Sequence, residues 1–295
     1  MYFGEDTVLF IDGNFVKASK AAVSPYSQTL HYGMGVYEGI RAYQTPNGTR
    51  IFKPEDHFRR LLNTSDQLGL SIDYSAEELT QICYTLIEKN DLSCAYLRPL
   101  VVGGPQMKLT APSSASVMIA VWKWGRYFDD HSLKLCFSSV QRQNPNACLM
   151  NGKITGHYVN AILAARQATA RGYDESLMVD HEGYVAQAPG ANFFFEKDGV
   201  LFTSPQGSIF PGITRETVFD ICRQLDIEVV EKKFLPQEML DFDAAFLCGT
   251  ATEISPVENI EGHAAQLNWR ESASYAVQEG FKSLVLDLSF TNVIV

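Results

Sequence analysis

The sequence predicts an α+β chain in two domains. Helix and strand patterns alternate without a regular βαβ order. The 295 residues exceed the ~100–200 of one ordinary domain. Between two differently patterned halves, Lys123–Ser132 mixes glycine, charge and aromatics and reads as an interdomain connection. The expected domains are residues 1–124 and a larger 133–295, with 125–132 as linker.

Each element has a local cause. Val8–Val16 predicts a hairpin, because two apolar stretches flank the turn sequence Asp12-Gly13-Asn14. Phe58, Leu61, Leu62 and Ser65 share one helical face and predict a helix over Glu55–Leu68. Ser75, with Glu78 three residues on, is an N-cap pattern. The stripe behind it is Leu79, Ile82, Cys83, Leu86 and Ile87. Strands are expected at Ala95–Val102, Ser116–Trp124 and Leu133–Val140.

In the second half a helix over His157–Arg171 stops at Gly172. Ser176–Val179 reads as a strand, and Asn192–Thr203 as a hairpin around Lys197-Asp198-Gly199. A helix starts near Gly212, with Val218, Ile221, Cys222 and Leu225 on one face. Ala244–Cys248 is a short buried strand, and a last helix over Glu271–Leu286 carries Val277, Phe281 and Leu284. An apolar tail, Phe290–Val295, follows. There is no internal repeat, no G-x-G-x-x-G fingerprint and no P-loop.

Composition narrows the function. At 46% hydrophobic and 20% charged, the chain can bury a core without staples. A net charge of -10 argues against nonspecific binding to nucleic acid or an anionic membrane, while a few local arginines can still hold an anionic ligand. The six cysteines form no C-x-x-C pair and read as reduced, mostly buried thiols with no metal. The N-terminal residues lack a basic and apolar leader pattern, and no apolar run reaches the ~18 residues of a membrane span. A soluble cytoplasmic protein is expected.

Several segments could carry chemistry. Lys153 lies between Gly152 and Gly156, ahead of a helix, where backbone freedom would let a cofactor approach. A partly desolvated lysine can form a Schiff base. Taken alone, the segment reads more simply as an exposed turn lysine. Phe210–Glu216 opens a helix whose first N–H groups make a natural phosphate site, or a plain helix start capped by Thr214 or Ser208. Cys248–Ile254 runs a buried strand into a turn of small residues with N–H groups for an anion. Of the adjacent Arg59 and Arg60, one can turn inward. Tyr96 and Arg98 share one side of a strand, where an arginine calls for an anionic partner.

Together and in this order, the segments resemble the fold-type IV enzymes that use pyridoxal phosphate (PLP), the D-amino acid aminotransferase-like fold. They look most like branched-chain amino acid aminotransferases. The motifs are His31-Tyr32-Gly33 through Tyr37-Glu38-Gly39-Ile40-Arg41, Tyr96-Leu97-Arg98-Pro99, Pro211-Gly212-Ile213-Thr214-Arg215 and Gly249-Thr250-Ala251. The match runs from about Leu9 to Glu258 and overturns the turn-lysine alternative.

The resemblance implies that Lys153 is the Schiff-base lysine and proton shuttle. Tyr158 would bond the cofactor's phenolic oxygen. Arg60, the N–H groups of Ile213 and Thr214, and the Thr250 hydroxyl would hold its phosphate. Tyr96, Arg98, Thr250 and Ala251 would take the substrate carboxylate. Tyr37, Gly39, Trp124 and Tyr127 would line an apolar side-chain pocket, and Tyr32 would reach across a homodimer interface. The implied reaction is ping-pong transamination of Leu, Ile and Val with 2-oxoglutarate. The neighbouring alternatives are D-amino acid aminotransferase, aminodeoxychorismate lyase, or a binding protein with weakened catalysis.

One position departs from the family pattern. Gln187, in Tyr184–Asn192, stands where the family places a glutamate facing the pyridine nitrogen. A neutral amide cannot stabilise a pyridinium by charge, so transamination is expected to be slower than with a carboxylate.

Overall fold

Asp12 and Gly13 both adopt positive φ, the pairing a two-residue hairpin turn demands. They join β1 (Val8–Ile11) to β2 (Asn14–Lys17). The computed structural model describes residues 3–112, 114–125, 127–128 and 131–288; the Phe290–Val295 tail lies outside them. The chain divides into two units, Met1–Gly125 with Asn151–His157, and Arg126–Met150 with Tyr158–Val295.

The first unit adds α1 (Gln28–Tyr32), β3 (Gly35–Tyr37), β4 (Ile40–Thr45), β5 (Gly48–Ile51), α2 (Pro54–Gln67), α3 (Ala76–Lys89), β6 (Ala95–Gly103) and β7 (Ala115–Trp122). Its seven-stranded sheet runs β2-β1-β7-β6-β4-β5, with β3 also on β6. The register Phe10↔Ile119 and Leu97↔Val121 puts these residues in a buried cluster with Phe58, Leu61, Leu79, Cys83 and Leu86 of the two helices. Ser75 and Glu78 form the reciprocal capping box expected of them.

The second unit contains β8 (Leu133–Phe137), α4 (Tyr158–Ala170), β9 (Glu175–Val179), β10 (Val185–Gln187), β11 (Asn192–Lys197), β12 (Val200–Thr203), α5 (Ile213–Gln224), β13 (Val229–Glu231), β14 (Ala244–Gly249), β15 (Glu253–Ile260), β16 (His263–Ala264) and α6 (Ala273–Val285). Its nine-stranded mixed sheet runs β10-β9-β8-β15-β14-β11-β12-β13, with β16 on β15. Phe193-Phe194-Phe195 shows no alternation because both faces are covered. Phe193 and Phe195 join one core cluster. Phe194 stacks on Phe246 at 5.0 Å and meets Phe219 of α5 edge-on. The buried Glu196 carboxylate accepts the N–H groups of Ala273 and Ser274 at 3.1 and 2.8 Å, docking the start of α6.

Some bounds differ from expectation. The strand expected to reach Trp124 ends at Trp122, and the one expected to reach Val140 ends at Phe137. Beyond Phe137, Ser138 Oγ turns back to accept the Val140 N–H. A 3-10 turn at Thr155–His157 precedes α4, which begins at Tyr158 rather than His157. β3, β4 and β5 were unforeseen. Their glycines, aromatics and charges follow no alternation.

Glu175 is buried at the head of β9. Burial pushes its carboxyl up to about 7, against the pull of the Ser176 N–H. A raised folded pKa gives stability that is full below the unfolded value and lost as pH rises through about 7. At 1.36 kcal/mol per pH unit the penalty at alkaline pH is on the order of 3 kcal/mol. Glu175→Gln should therefore raise the urea midpoint at about pH 8 and change it little at about pH 5. Equal effects at both would refute the assignment.

Candidate active site

In the first unit the site is built around the lysine loop. The Tyr37 N–H donates to Lys153 O at 2.9 Å, and Val36 bridges to Ile154. Lys153 is half-buried, and its Nζ lies 5.9 Å from the Tyr37 ring centroid. The flanking glycines serve packing rather than the open flexibility expected of them. A Cβ on Gly152 would stand 2.2 Å from Thr64 Cγ2. A Cβ on Gly33 would stand 2.5 Å from Gly156 Cα.

Beside this loop sits a buried charge cluster. Arg59 points outward to Glu55 and Asp56. Arg60 turns inward and gives its Nε and Nη2 to Glu38 at 2.6 and 3.0 Å. His57 Nδ1 meets the same carboxylate at 2.8 Å. Burial would raise the Glu38 carboxyl, but Arg60 and His57 outweigh it and hold it well below the carboxylate range. Burial, with Arg60 and Lys153, lowers His57 despite Glu38. His57 is then neutral, and its Nδ1–H donates to an ionised Glu38. The sequence marked Glu38 only by its place in the Tyr37–Arg41 motif and did not single out a role for His57, because their partners are distant in the chain.

Of the expected wall residues, Tyr37 on β3 and Trp124 just past β7 gather at Arg98 and Tyr96 of β6, whereas Tyr127 belongs to the other unit. Arg98 lies over the rings of Tyr37, Tyr96 and Trp122 at 4.7, 5.4 and 5.8 Å. Its Nη2 donates to Tyr96 OH at 3.4 Å. Three aromatic faces thus lie against the guanidinium. Gly39 makes room for this arrangement, since a Cβ there would stand 1.9 Å from Tyr96 OH. Trp124 packs on Tyr96 at 4.6 Å. Trp122 was unforeseen. Tyr32, on α1, is 47% exposed and donates to Met107 O at 3.1 Å.

In the second unit three segments meet at one end of the sheet. β10 ends at Gln187, β11 begins at Asn192 opposite Cys248, and β14 ends at Gly249 before Thr250 and Ala251. Asn192 Nδ2 donates to Phe210 O at 2.9 Å, and its Oδ1 fills the space of a Gly212 Cβ at 2.2 Å. Gly212, rather than Thr214 or Ser208, caps α5, without a side-chain hydrogen bond. Ile213 and Thr214 therefore open the helix with their N–H groups directed outward from its start. Arg215 is 1% exposed and structural: it bonds Ser204 O at 3.0 Å, pairs with Glu231 and covers Phe219. Tyr158 heads α4, with Arg142 and Cys148 nearby. Tyr127 is 47% exposed against Phe128.

Residues 35–260 match the model for amino-transferase class IV. The chain belongs to the class IV aminotransferases. This class IV, fold-type IV enzyme is 36% identical to the branched-chain-amino-acid aminotransferase of Pseudomonas aeruginosa, over 95% of this chain and 93% of the relative. It superposes on the branched-chain aminotransferase of Thermoproteus uzoniensis with norvaline at a TM-score of 0.92 and 34% identity, covering 98% of each chain. The branched-chain amino acid aminotransferase of Thermobaculum terrenum, in its PLP-bound holo-form, superposes at 0.90 and 28% identity, covering 97% of this chain and 96% of that one. The cofactor of this aminotransferase is PLP. Each unit by itself offers groups that suit it: the first a half-buried lysine, the second a helix start whose cap makes no side-chain bond.

Two variants check the charge cluster. Glu38→Gln leaves Arg60 facing a neutral amide and should cost on the order of 3 kcal/mol in urea unfolding at neutral pH. His57, depressed in the fold, makes stability fall as pH drops below about 6.5, because the unfolded chain takes the proton first. His57→Gln should flatten that slope. A slope unchanged in His57→Gln would contradict a neutral, buried imidazole.

Proposed function

We propose that this aminotransferase moves the amino group between the branched-chain L-amino acids Leu, Ile and Val and 2-oxoglutarate, as a soluble cytoplasmic homodimer. The observation that carries the substrate class is Arg98 among Tyr37, Tyr96 and Trp122, with Trp124 beside them. A guanidinium set in aromatic faces suits a small carboxylate attached to an apolar side chain. The names of the relatives agree with it.

When bound, PLP supplies a carbonyl carbon for an amine and a conjugated ring that withdraws electrons from it. Lys153 Nζ is the attachment point and moves the proton taken from the substrate Cα. In the first unit Arg60, oriented by Glu38, would hold the phosphate, and Tyr96 and Arg98 would orient the substrate carboxylate. Tyr37, Gly39 and Trp124 exclude water from its side chain. In the second unit the Ile213 and Thr214 N–H groups and Thr250 would hold the phosphate. Thr250 and Ala251 would also offer N–H groups to the carboxylate, Tyr158 would bond the phenolic oxygen, Gln187 would meet the ring nitrogen and Tyr127 would add to the apolar wall.

Exposed apolar side chains support the homodimer reading. Tyr26, Leu30, Tyr32, Met107 and Leu109 stand on two segments hydrogen-bonded to each other. Such a patch marks an association surface. Tyr32 on it would reach the partner's site.

Two measurements test this. Purified protein with PLP should transfer the amino group of L-Leu, L-Ile and L-Val to 2-oxoglutarate and leave D-Ala unused; Lys153→Ala should lose all transfer. Preference for D-Ala would replace the substrate assignment. Light scattering should give twice the 32.9 kDa chain mass. Leu30→Glu should lower it toward one chain, and a monomeric wild type would end the homodimer proposal.

A further inference from the structure

We infer that Gln187 meets the ring nitrogen of PLP as an amide donor and keeps that nitrogen unprotonated; this rests on the cofactor placement proposed above. Gln187 is 4% exposed at the end of β10. Its Oε1 accepts the Phe210 N–H at 2.6 Å. A backbone N–H can only donate, so this bond fixes which end of the amide is oxygen. The other end, Nε2, donates to Ala188 O at 3.0 Å. An amide nitrogen carries two hydrogens, so the same group can donate once more.

A carboxylate in this place would set an oxygen where Nε2 stands, 3.0 Å from the Ala188 carbonyl. Two acceptors would then face each other with no proton between them, in a buried setting where that is costly. The socket is built for an amide. It is also tied to the phosphate end of the site. The carbonyl of Phe210, whose N–H holds Oε1, accepts from Asn192, and Asn192 packs on Gly212 at the start of α5.

An N–H group can bond a pyridine nitrogen only where that nitrogen offers its lone pair. A ring held this way carries no positive charge and withdraws electrons less strongly than a pyridinium. The chain therefore favours substrates whose Cα proton is lost against a weaker sink, and slows the proton transfer at Lys153.

The test uses wild-type holoenzyme loaded with PLP labelled with 15N at the ring nitrogen. The visible band of the lysine-bound cofactor is recorded first, with Lys153→Ala as control. A band absent from both proteins would sink the cofactor assignment itself. With the band present, solid-state NMR should show an unprotonated pyridine nitrogen that does not move between about pH 6 and pH 9. A protonated resonance in the wild type would overturn the inference, whatever any variant does. Gln187→Glu should shift the resonance toward the protonated position. Without cofactor, the variant should melt lower than wild type at about pH 8 and recover toward it at about pH 5, because a carboxyl facing Ala188 O keeps its proton. Equal melting of the two proteins at both pH values would overturn the amide socket.

Discussion

The contact between Gly33 and Gly156 constrains much of the first unit. The Gly156 N–H donates to Gly33 O at 3.1 Å, and Thr155 Oγ1 donates to the same carbonyl at 2.6 Å. Neither backbone could come so close with a side chain on Gly33. Gly33 pays no steric cost for its positive φ as the C-cap of α1. This contact seats residues 151–157 along β3, and the Tyr37–Lys153 hydrogen bond follows from that seating. A lysine on an unanchored loop would spread over many rotamers. Here its backbone is fixed from both sides, so the remaining freedom is that of its four-carbon stem.

The charges around this loop are arranged by what each can neutralise. Glu38 accepts from Arg60 and from a neutral His57, so the cluster holds one negative and one positive charge. Arg98 is surrounded differently. Aromatic faces attract a guanidinium through their quadrupoles and leave its formal charge in place. The two inward arginines are thereby suited to different work. One is oriented by a carboxylate as part of the scaffold. The other lies among aromatic faces, in a chain that as a whole carries a charge of -10.

What was legible in the sequence was local. The Ser75–Glu78 capping box and the Asp198-Gly199 turn each depend on residues a few positions apart, and the structure contains both. The longer helices were legible because one face repeats every turn, while the five-residue α1 was not foreseen. The strands β3 to β5 were not, because their residues answer to partners elsewhere. Gly39 is small for the sake of Tyr96, and Arg41 is buried to bond Gly125 O at 2.7 Å. The same holds for the candidate site. Arg59 and Arg60 were seen to face different ways, but only the fold shows that Glu38 decides which turns inward. The Pro211–Arg215 motif was legible as a helix start, whereas Arg215 proves to be a buried brace between β12, β13 and α5.

The end of the second sheet shows why neutral side chains pin it. Asn192 and Gln187 each bind one backbone group of Phe210, the carbonyl and the N–H. Together they fix the loop that leads into α5. Because both are amides, this pinning adds no negative charge beside the helix start. A carboxylate at either position would compete with an anion for the positive end of the helix dipole. The first-turn N–H groups of Ile213 and Thr214 can then hold a phosphate at full strength. An amide at residue 187 thus pins the loop without adding negative charge beside the helix start, and both effects come from the same hydrogen-bonded segment.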